Sequence, residues 1–287
     1  MTEFPSAGVS LKPVHFAEAR LATAEGLWFE VHPENYMDIG GPRLAGLESV
    51  AERHPLSLHG VGLSLGGPER PDAAHLSRFR ALIERLNPAR QSEHLAWSRF
   101  QGHSVPDLLP IVRTSAVLQQ IADNIDAAQC ALGRTLLIEN PSHYLPVNGH
   151  DWSETAFLRE LVVRTGCGLL VDVHNVYVSA RNLAETDQVF EPLSYLADLP
   201  HAAIGEVHLA GGTEDVEAGL RIDSHDAPVP DPVWALYQAL LDFTGPVSTL
   251  IEWDDQLPEF ADLMAVRDQA QACLLTAAAT PQKALVL

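Results

Sequence analysis

The segment GLLVDVHN (168–175) shows the pattern that decides the fold, a short apolar run that ends in acidic, imidazole and amide side chains. A run of this length and hydrophobicity is typical of a strand that is buried on both faces, as in a parallel sheet. Seven further runs of this kind occur along the chain, and they are GVSLK (8–12), LWFEV (27–31), LSLHG (56–60), SEHLA (92–96), TLLIEN (135–140), AIGEVHLAG (203–211) and STLIEW (248–253).

Helical segments separate these runs. Residues 71–88 and 114–133 carry apolar side chains at helical spacing, and the second segment ends at Gly133, a common helix C-cap. Eight strands that alternate with helices predict a single α/β domain, a (β/α)8 TIM barrel that occupies residues 1–287. The alternative is an open doubly wound sheet, but no GxGxxG motif follows a strand.

Composition narrows the class of protein. The chain has 38 Asp and Glu against 18 Lys and Arg, a formal net charge of −20, which argues against binding to nucleic acid. It contains no apolar run of about 18 residues, so we expect no membrane span. The amino terminus lacks the features of a signal peptide, which predicts a cytoplasmic protein. The acidic excess could serve solubility alone, or it could include carboxylates that bind metal.

Potential metal ligands lie where barrel enzymes carry their chemistry, at the carboxyl ends of the strands. A single His or Glu there is more often structural, but here consecutive strands end in such groups, and only Lys12 is basic within the runs. Buried charges need compensation, and a metal cation would supply it. The candidates are Glu30, His32, Glu34, Asn35, His59, Glu93, His94, Glu139, Asn140, Asp172, His174, Asn175, Glu206, His208, Glu252 and Asp254.

The alternation of side chains along a strand predicts which candidates face inward. Residues two apart share a face, so we expect three inward pairs: Asp172 with His174, Glu206 with His208, and Glu252 with Asp254. Glu139 and Asn140 are adjacent, so only one of them can face the interior. We choose Glu139, because a carboxylate can bridge two metals.

The loop after the seventh strand, residues 211–232, is long, and loops of this length are usually functional or disordered. It contains the sequence DSHD, which could fold Asp223, His225 and Asp226 over the strand ends. The alternative is a solvated acidic loop.

The candidate ligands are imidazoles and carboxylates without thiolates, which suits iron, manganese or zinc. They exceed one coordination sphere, so two or three metals are expected. Ligand type alone leaves three functions open. They are metal-assisted hydrolysis or sugar isomerisation, oxidation with dioxygen at iron, and iron binding without catalysis.

The order of short motifs along nearly the whole chain resembles the multinuclear non-heme iron-dependent oxidative enzymes, a family that includes the iron enzyme of methanobactin biosynthesis. The motifs are HPENY (32–36), HGVGLSLGG (59–67), SEHLAW (92–97), IENPS (138–142), DVHNVYV (172–178), GEVHLAGG (205–212), DSHDAPV (223–229) and IEWD (251–254).

This resemblance implies an enzyme that uses dioxygen to oxidise cysteine in a ribosomally synthesised precursor peptide. It implies two or three irons in mixed Fe(II)/Fe(III) states, and a small partner protein that presents the leader peptide. By family motif, the iron ligands would be His59, His94, Glu139, Asp172, His174, His208, His225 and Glu252. Four further residues would be ligands or would support them: Asn140, Asn175, Glu206 and Asp223, of which Asp223 and Asn175 are the predicted catalytic residues.

Overall fold

A computed structural model describes residues 5–38 and 40–279. Its strands are β1 (Ala7–Ser10), β2 (Phe29–Val31), β3 (Leu56–Gly60), β4 (Arg90–His94), β5 (Trp97–Phe100), β6 (His103–Leu109), β7 (Leu137–Glu139), β8 (Gly168–Asp172), β9 (Ile204–Leu209), β10 (Glu214–Asp215), β11 (Leu220–Arg221) and β12 (Thr249–Ile251). Eight of them form a closed parallel barrel in the order β1-β12-β9-β8-β7-β4-β3-β2. The predicted (β/α)8 barrel is therefore confirmed.

Helices surround this barrel. They are α1 (Phe16–Ala19), α2 (Pro42–Ala51), α3 (Ala73–Leu86), α4 (Ser115–Leu132), α5 (Glu154–Thr165), α6 (Val173–Leu183), α7 (Pro192–Asp198), α8 (Asp231–Thr244) and α9 (Phe260–Ala279). Side-chain caps begin several of them, because a cap satisfies a free amide of the first turn. The side chain of Asp72 accepts a hydrogen bond from the backbone of His75, and that of Ser153 accepts one from Ala156.

Strand alternation separates a polar interior from an apolar exterior. On β3, Leu56 and Leu58 belong to the hydrophobic core. The alternate residues Ser57 and His59 face the polar interior, where Ser57 Oγ donates to Glu30 Oε2 at 2.7 Å. Barrel interiors are usually filled by bulky aliphatic side chains, so the buried serine, imidazole and carboxylate mark this interior as a site.

A β-hairpin follows β4 that the sequence analysis did not predict. It consists of β5 and β6, and its turn is formed by Gln101 and Gly102, whose φ angles of 50° and 77° are both in the left-handed region. Two-residue hairpin turns need such angles, and glycine adopts them at little cost. The predicted run at 92–96 therefore corresponds to a barrel strand of the same length that lies two residues earlier, at Arg90–His94, and is followed by an insertion at the barrel mouth.

Among the described residues, no helix combines the length and the apolar character that crossing a membrane would require. The prediction of one domain over residues 1–287 includes residues 1–4, 39 and 280–287, which lie outside the described residues. That assignment remains a prediction for the chain as a whole.

Candidate metal centre

The carboxyl ends of the barrel strands bring imidazoles and carboxylates together in connected groups. The first ligand group consists of His59 on β3, His94 on β4 and Glu139 on β7. Glu139 Oε2 lies 3.2 Å from His59 Nε2 and 3.0 Å from His94 Nε2, and the two imidazole nitrogens are 3.3 Å apart. Such separations match neighbouring ligands on one ion, because bonds of about 2.1 Å place adjacent ligands about 3 Å apart.

Glu139 also belongs to the central ligand group, with Asp172 and His208, whose donor atoms lie within 4.8 Å of one another. His208 Nδ1 is 2.9 Å from Glu252 Oε2, so Glu252, directly after β12, borders this group. The imidazole of His208 lies 5.3 Å from that of His59, measured between ring centroids. Because Glu139 is shared, its carboxylate is placed where it could bridge two cations.

The loop ligand group consists of His174, Asp223 and His225. Asp223 Oδ1 lies 2.8 Å from His174 Nδ1 and 2.7 Å from His225 Nε2. His225 Nδ1 is 3.4 Å from Glu252 Oε2, which connects this group to the central one. The three groups therefore form one continuous cluster of donor atoms.

Buried atoms without hydrogen bonds show that these residues fit a metal. Four donor atoms of the cluster make no well-aligned hydrogen bond among the described residues. They are Asp172 Oδ2 and His174 Nε2, and also Glu139 Oε2 and His208 Nε2, which lie 3.0–3.2 Å from other donor atoms of the site. Buried polar atoms normally have a partner, so their convergence requires an explanation. A cation would satisfy them, and mixed nitrogen and carboxylate donors suit a divalent metal such as iron, manganese or zinc.

Burial and charge together determine the protonation of the cluster. Burial raises the pKa of Asp172 well above its usual value, and the carboxylates of Asp223 and Glu139 raise it further. Burial lowers the pKa of His59, but the charge and hydrogen bond of Glu139, together with the charge of Glu30, outweigh it and raise that pKa to about 10. The metal-free cluster therefore holds a proton on His59, and a cation would replace it.

A buried ion pair lies deeper in the barrel. Lys12 is the only base within the predicted runs, but β4 begins two residues before its predicted run, at Arg90, whose side chain reaches into the barrel. Arg90 Nε lies 2.9 Å from Glu206 Oε2, and the guanidinium is 4.2 Å from the centre of the Trp28 ring. Burial raises the pKa of Glu206, but Arg90 and His208 together offset this and hold it at about 2. Glu206 Oε2 thus has a cationic partner, whereas Oε1 has no hydrogen bond among the described residues and lies in a group of possible ligands with Glu30 and His208.

Replacing Arg90 with Met tests this ion pair. The variant leaves Glu206 buried without its partner, and we expect a loss of about 2 kcal/mol in the free energy of unfolding, because a desolvated unpaired charge is costly. The exposed pair Arg80–Glu84 provides the control, since Arg80→Met should cost less than about 1 kcal/mol. Urea unfolding of both variants measures the difference. Equal losses would show that Arg90 contributes no more than a surface residue.

Glu30 is the site residue that the predicted ligand set omits. Its Oε1 lies 3.1 Å from His208 Nε2, and burial followed by the nearby charge of Glu206 raises its pKa. The sequence contained a signal for it, because Glu30 lies on the face of β2 that points into the barrel. Ser57 on β3 and Glu206 on β9 lie on the corresponding faces of their strands. The strand register that aligns these side chains becomes clear only in the closed barrel.

Two other strand-end carboxylates lie outside the three ligand groups. Glu34 lies 3.2 Å from His75 Nε2, and Glu93 accepts a hydrogen bond of 2.9 Å from the backbone of Leu63. His32 lies at the edge of the cluster, with Nε2 4.0 Å from Glu252 Oε1. Glu34 therefore holds a loop at the mouth, whereas Glu93 also supports the His94 ring, since its Oε1 lies 3.7 Å from His94 Nδ1.

The predicted pair of Asp172 and His174 on one strand face is wrong. Strand β8 ends at Asp172, whose carboxylate accepts a 2.6 Å hydrogen bond from the backbone of Asn175 and caps α6. His174 therefore lies in the first turn of a helix, not on a strand. It still reaches the cluster, because the turn directs its imidazole toward Asp223.

Asn140 and Asn175 surround Asp172 instead of converging with the ligand groups. Asn140 exchanges two hydrogen bonds with the backbone of Asp172, at 2.9 and 3.0 Å, and so extends the pairing of β7 and β8. Asn175 Nδ2 donates to the backbone oxygen of Asn140 at 3.1 Å. Glu139 rather than Asn140 faces the cluster, while the catalytic assignment of Asn175 stays a prediction.

Close approach of the loop after β9 depends on Gly212. A Cβ atom at this position would lie 2.2 Å from the backbone oxygen of Ile222 and 2.9 Å from His174 Cε1. Only glycine leaves room there, so the segment that carries Asp223 can lie against the strand ends. Tyr144 holds the same segment, because its hydroxyl accepts a hydrogen bond of 3.1 Å from the Asp223 backbone.

Comparison with solved structures agrees with the fold. Endonuclease IV from Thermus thermophilus superposes with a TM-score of 0.60 at 18% identity, covering 93% of this chain and 98% of that chain. A xylose isomerase-like TIM barrel protein from Mycobacterium smegmatis, in complex with magnesium, gives a TM-score of 0.58 at 13% identity, covering 96% and 98%. At these identities the similarity concerns the fold alone.

Sequence relatives cover nearly the whole chain. The UPF0276 protein of Caulobacter sp. strain K31 is 55% identical over 277 residues, which are 96% of this chain and 99% of that protein. UPF0276 protein RB0508 of Rhizobium meliloti is 50% identical over 270 residues, or 92% and 85%. The family described as RiPP precursor modification enzyme MbnB/TglH/ChrH matches residues 6–275. This match includes every strand of the barrel, and the chain therefore belongs to the MbnB/TglH/ChrH family of precursor-peptide modification enzymes.

Proposed function

We propose that this enzyme uses dioxygen and two or three irons, in mixed Fe(II)/Fe(III) states, to oxidise cysteine in a ribosomally synthesised precursor peptide in the cytoplasm. The observation that carries the proposal is the sharing of Glu139 and the bordering position of Glu252, which connect three ligand groups into one cluster. A cluster of this extent exceeds one coordination sphere, and the family acts on precursor peptides.

The proposed iron ligands are the predicted ones: His59, His94, Glu139, Asp172, His174, His208, His225 and Glu252. Iron held there would supply the electrons for dioxygen reduction and a binding position for the cysteine thiolate. Asp223 is proposed to join the loop ligand group, since its carboxylate lies between two imidazoles. A small partner protein that presents the leader remains part of the proposal and rests on the resemblance alone.

The residues of the chain prepare this cluster for a substrate that arrives from the mouth. His174 and His208 have fully buried side chains, whereas His94, Asp223 and His225 are 12–13% exposed and lie at the open edge. Ser92 Oγ lies 2.8 Å from His59 Nδ1 and fixes that ring so that Nε2 faces Glu139. Asn175, through its backbone bond to Asp172, is proposed to position that carboxylate.

The hydrolase and sugar-isomerase alternatives have support only at the level of the fold. Two measurements distinguish these alternatives from the oxidative function: the metal content of the protein and its reaction with a peptide. Protein from iron-replete cells should contain two or three irons per chain, by elemental analysis. Aerobic incubation with a Cys-containing peptide encoded beside the gene, with and without the adjacent small protein, should change the peptide mass. The anaerobic mixture and the Cys→Ser peptide should show no change.

A single tightly bound zinc, together with an unmodified peptide, would overturn the oxidative proposal and favour a hydrolase. Two or three irons with no peptide reaction under any of these conditions would favour a protein that binds iron without this catalysis.

A further inference from the structure

A second cavity lies beside the barrel mouth, outside the three ligand groups. Its volume is about 520 Å³, and its walls come from the segments after β6, β7 and α6, from the start of α5, and from α7. Arg113, His143, Glu154 and Tyr195 line its polar side. None of these residues takes part in the proposed oxidation.

The polar side of this cavity is a network around the carboxylate of Glu154. Glu154 Oε2 lies 2.5 Å from His143 Nε2 and 3.2 Å from Arg113 Nη1, and Glu154 Oε1 accepts a 2.9 Å hydrogen bond from Tyr195. Burial raises the pKa of Glu154, but His143 and Arg113 outweigh it and lower that pKa to about 2. Because both oxygens of this carboxylate have partners within the network, it requires no cation from a ligand.

The apolar walls of the cavity reach solvent. Leu145 and Val189 line it and are 67% and 59% exposed, and Val147 and Phe190 line it beside them. Large aliphatic side chains that are exposed together around a concave surface are typical of a binding site for an apolar group.

The rim of the cavity is negative. Glu191 and Asp198 line it, and within the described ranges neither carboxylate forms an ion pair, while Arg159 Nη2 donates to the backbone oxygen of Asp198. The net charge of −20 leaves no general excess of cations near them. An apolar cavity with two unpaired carboxylates on its rim is complementary to an aliphatic side chain that has lysine or arginine beside it.

One short segment separates this cavity from the metal centre. His143 faces the cavity, where it contacts Glu154, and the next residue, Tyr144, contacts the backbone of Asp223 in the loop ligand group. Leu145 follows and is exposed. An extended chain that crosses at Leu145 could thus occupy the cavity and the cluster together.

We propose that this cavity binds a segment of the precursor peptide, one that carries an aliphatic side chain next to lysine or arginine, while the cysteine lies at the metal centre. The inference rests on the proposed function for the identity of the peptide. It adds a second contact site and the chemistry of the segment that this site selects.

Charge reversal tests the proposal on the intact protein. We use two fluorescein-labelled peptides, Lys-Lys-Leu-Val-Leu-Lys-Lys and its counterpart with Glu in place of Lys, and measure anisotropy under argon so that no turnover occurs. The double variant Glu191→Lys and Asp198→Lys should weaken binding of the lysine peptide about tenfold and strengthen that of the glutamate peptide, since two exposed ion pairs change sign. Leu145→Ser should weaken both.

The matched control reverses two exposed carboxylates elsewhere, Glu18→Lys and Glu52→Lys, which changes the net charge equally. It should leave lysine-peptide affinity within about twofold. The proposal is overturned if neither probe binds, or if the control and the rim variant weaken binding equally. A rim-dependent dimer in sedimentation would assign the cavity to a second copy of the chain instead.

The binding assay is independent of the chemistry. Rim-dependent binding without any oxidation of the precursor would keep the cavity as a peptide site and reject the oxidative function. If the precursor peptide is oxidised and the double variant Glu191→Lys and Asp198→Lys leaves its KM unchanged, the oxidative function is kept and the cavity is rejected as a peptide-binding site.

Discussion

Glu139→Gln is expected to remove more bound metal than the loss of any ligand that belongs to one group. Glu139 Oε2 lies 3.2 and 3.0 Å from the imidazoles of His59 and His94, and the same carboxylate belongs to the central group with Asp172 and His208. An amide has one neutral oxygen where the carboxylate has two charged ones, so it cannot bridge two cations equally well. We expect turnover to fall by at least about 100-fold, because even groups that only support ligands cost up to that factor.

Glu34→Gln is the matched control for this experiment. Glu34 follows β2 at the barrel mouth, but its carboxylate contacts His75 and the backbone of Val61 and none of the proposed ligands. Elemental analysis should show full metal content in this variant and at least one ion missing in Glu139→Gln, and thermal unfolding checks that both are folded. Full iron and full activity in Glu139→Gln would show that this carboxylate is not a ligand.

The fold and much of the cluster could be predicted because they depend on local patterns. A buried parallel strand must be apolar, and its last inward residue must lie at the carboxyl end of the barrel. The residues around His59 or His208 are therefore enough to predict that each imidazole lies at that end. The prediction for His174 was wrong because a side-chain cap at Asp172 ended the strand, and alternation holds only while the strand continues. A side-chain cap can end a strand one or two residues earlier than the apolar pattern suggests. The periodicity of apolar residues does not locate a strand end that accurately.

Charge compensation could not be predicted from single runs, because it depends on register between distant strands. Arg90 lies two residues before the predicted run 92–96, and its partner Glu206 lies 116 positions later. Only closure of the barrel brings the two together. The position of Asp223 is likewise non-local, since it depends on the space at Gly212 and on the hydroxyl of Tyr144.

The double variant Asp223→Ala and His225→Ala is expected to empty one metal position and leave the others occupied. The two residues come from the loop after β9, whereas the first ligand group lies entirely on barrel strands. His174 alone would remain of the loop group, and a single imidazole holds a divalent cation weakly in water. We expect elemental analysis to lose about one ion per chain and turnover to fall at least about 100-fold.

Asp226→Ala is the control on the same loop, because Asp226 contacts Ser224 and Gln256 and belongs to none of the three ligand groups. It should retain full metal content, and circular dichroism should show an intact barrel in both variants. Gly212 and Tyr144 fix the loop backbone, so loss of two side chains at its edge should leave the strands in place. An unchanged iron count and unchanged turnover in the double variant would mean that Asp223 and His225 take part only in ion pairs with neighbouring side chains, and would remove this loop from the metal centre.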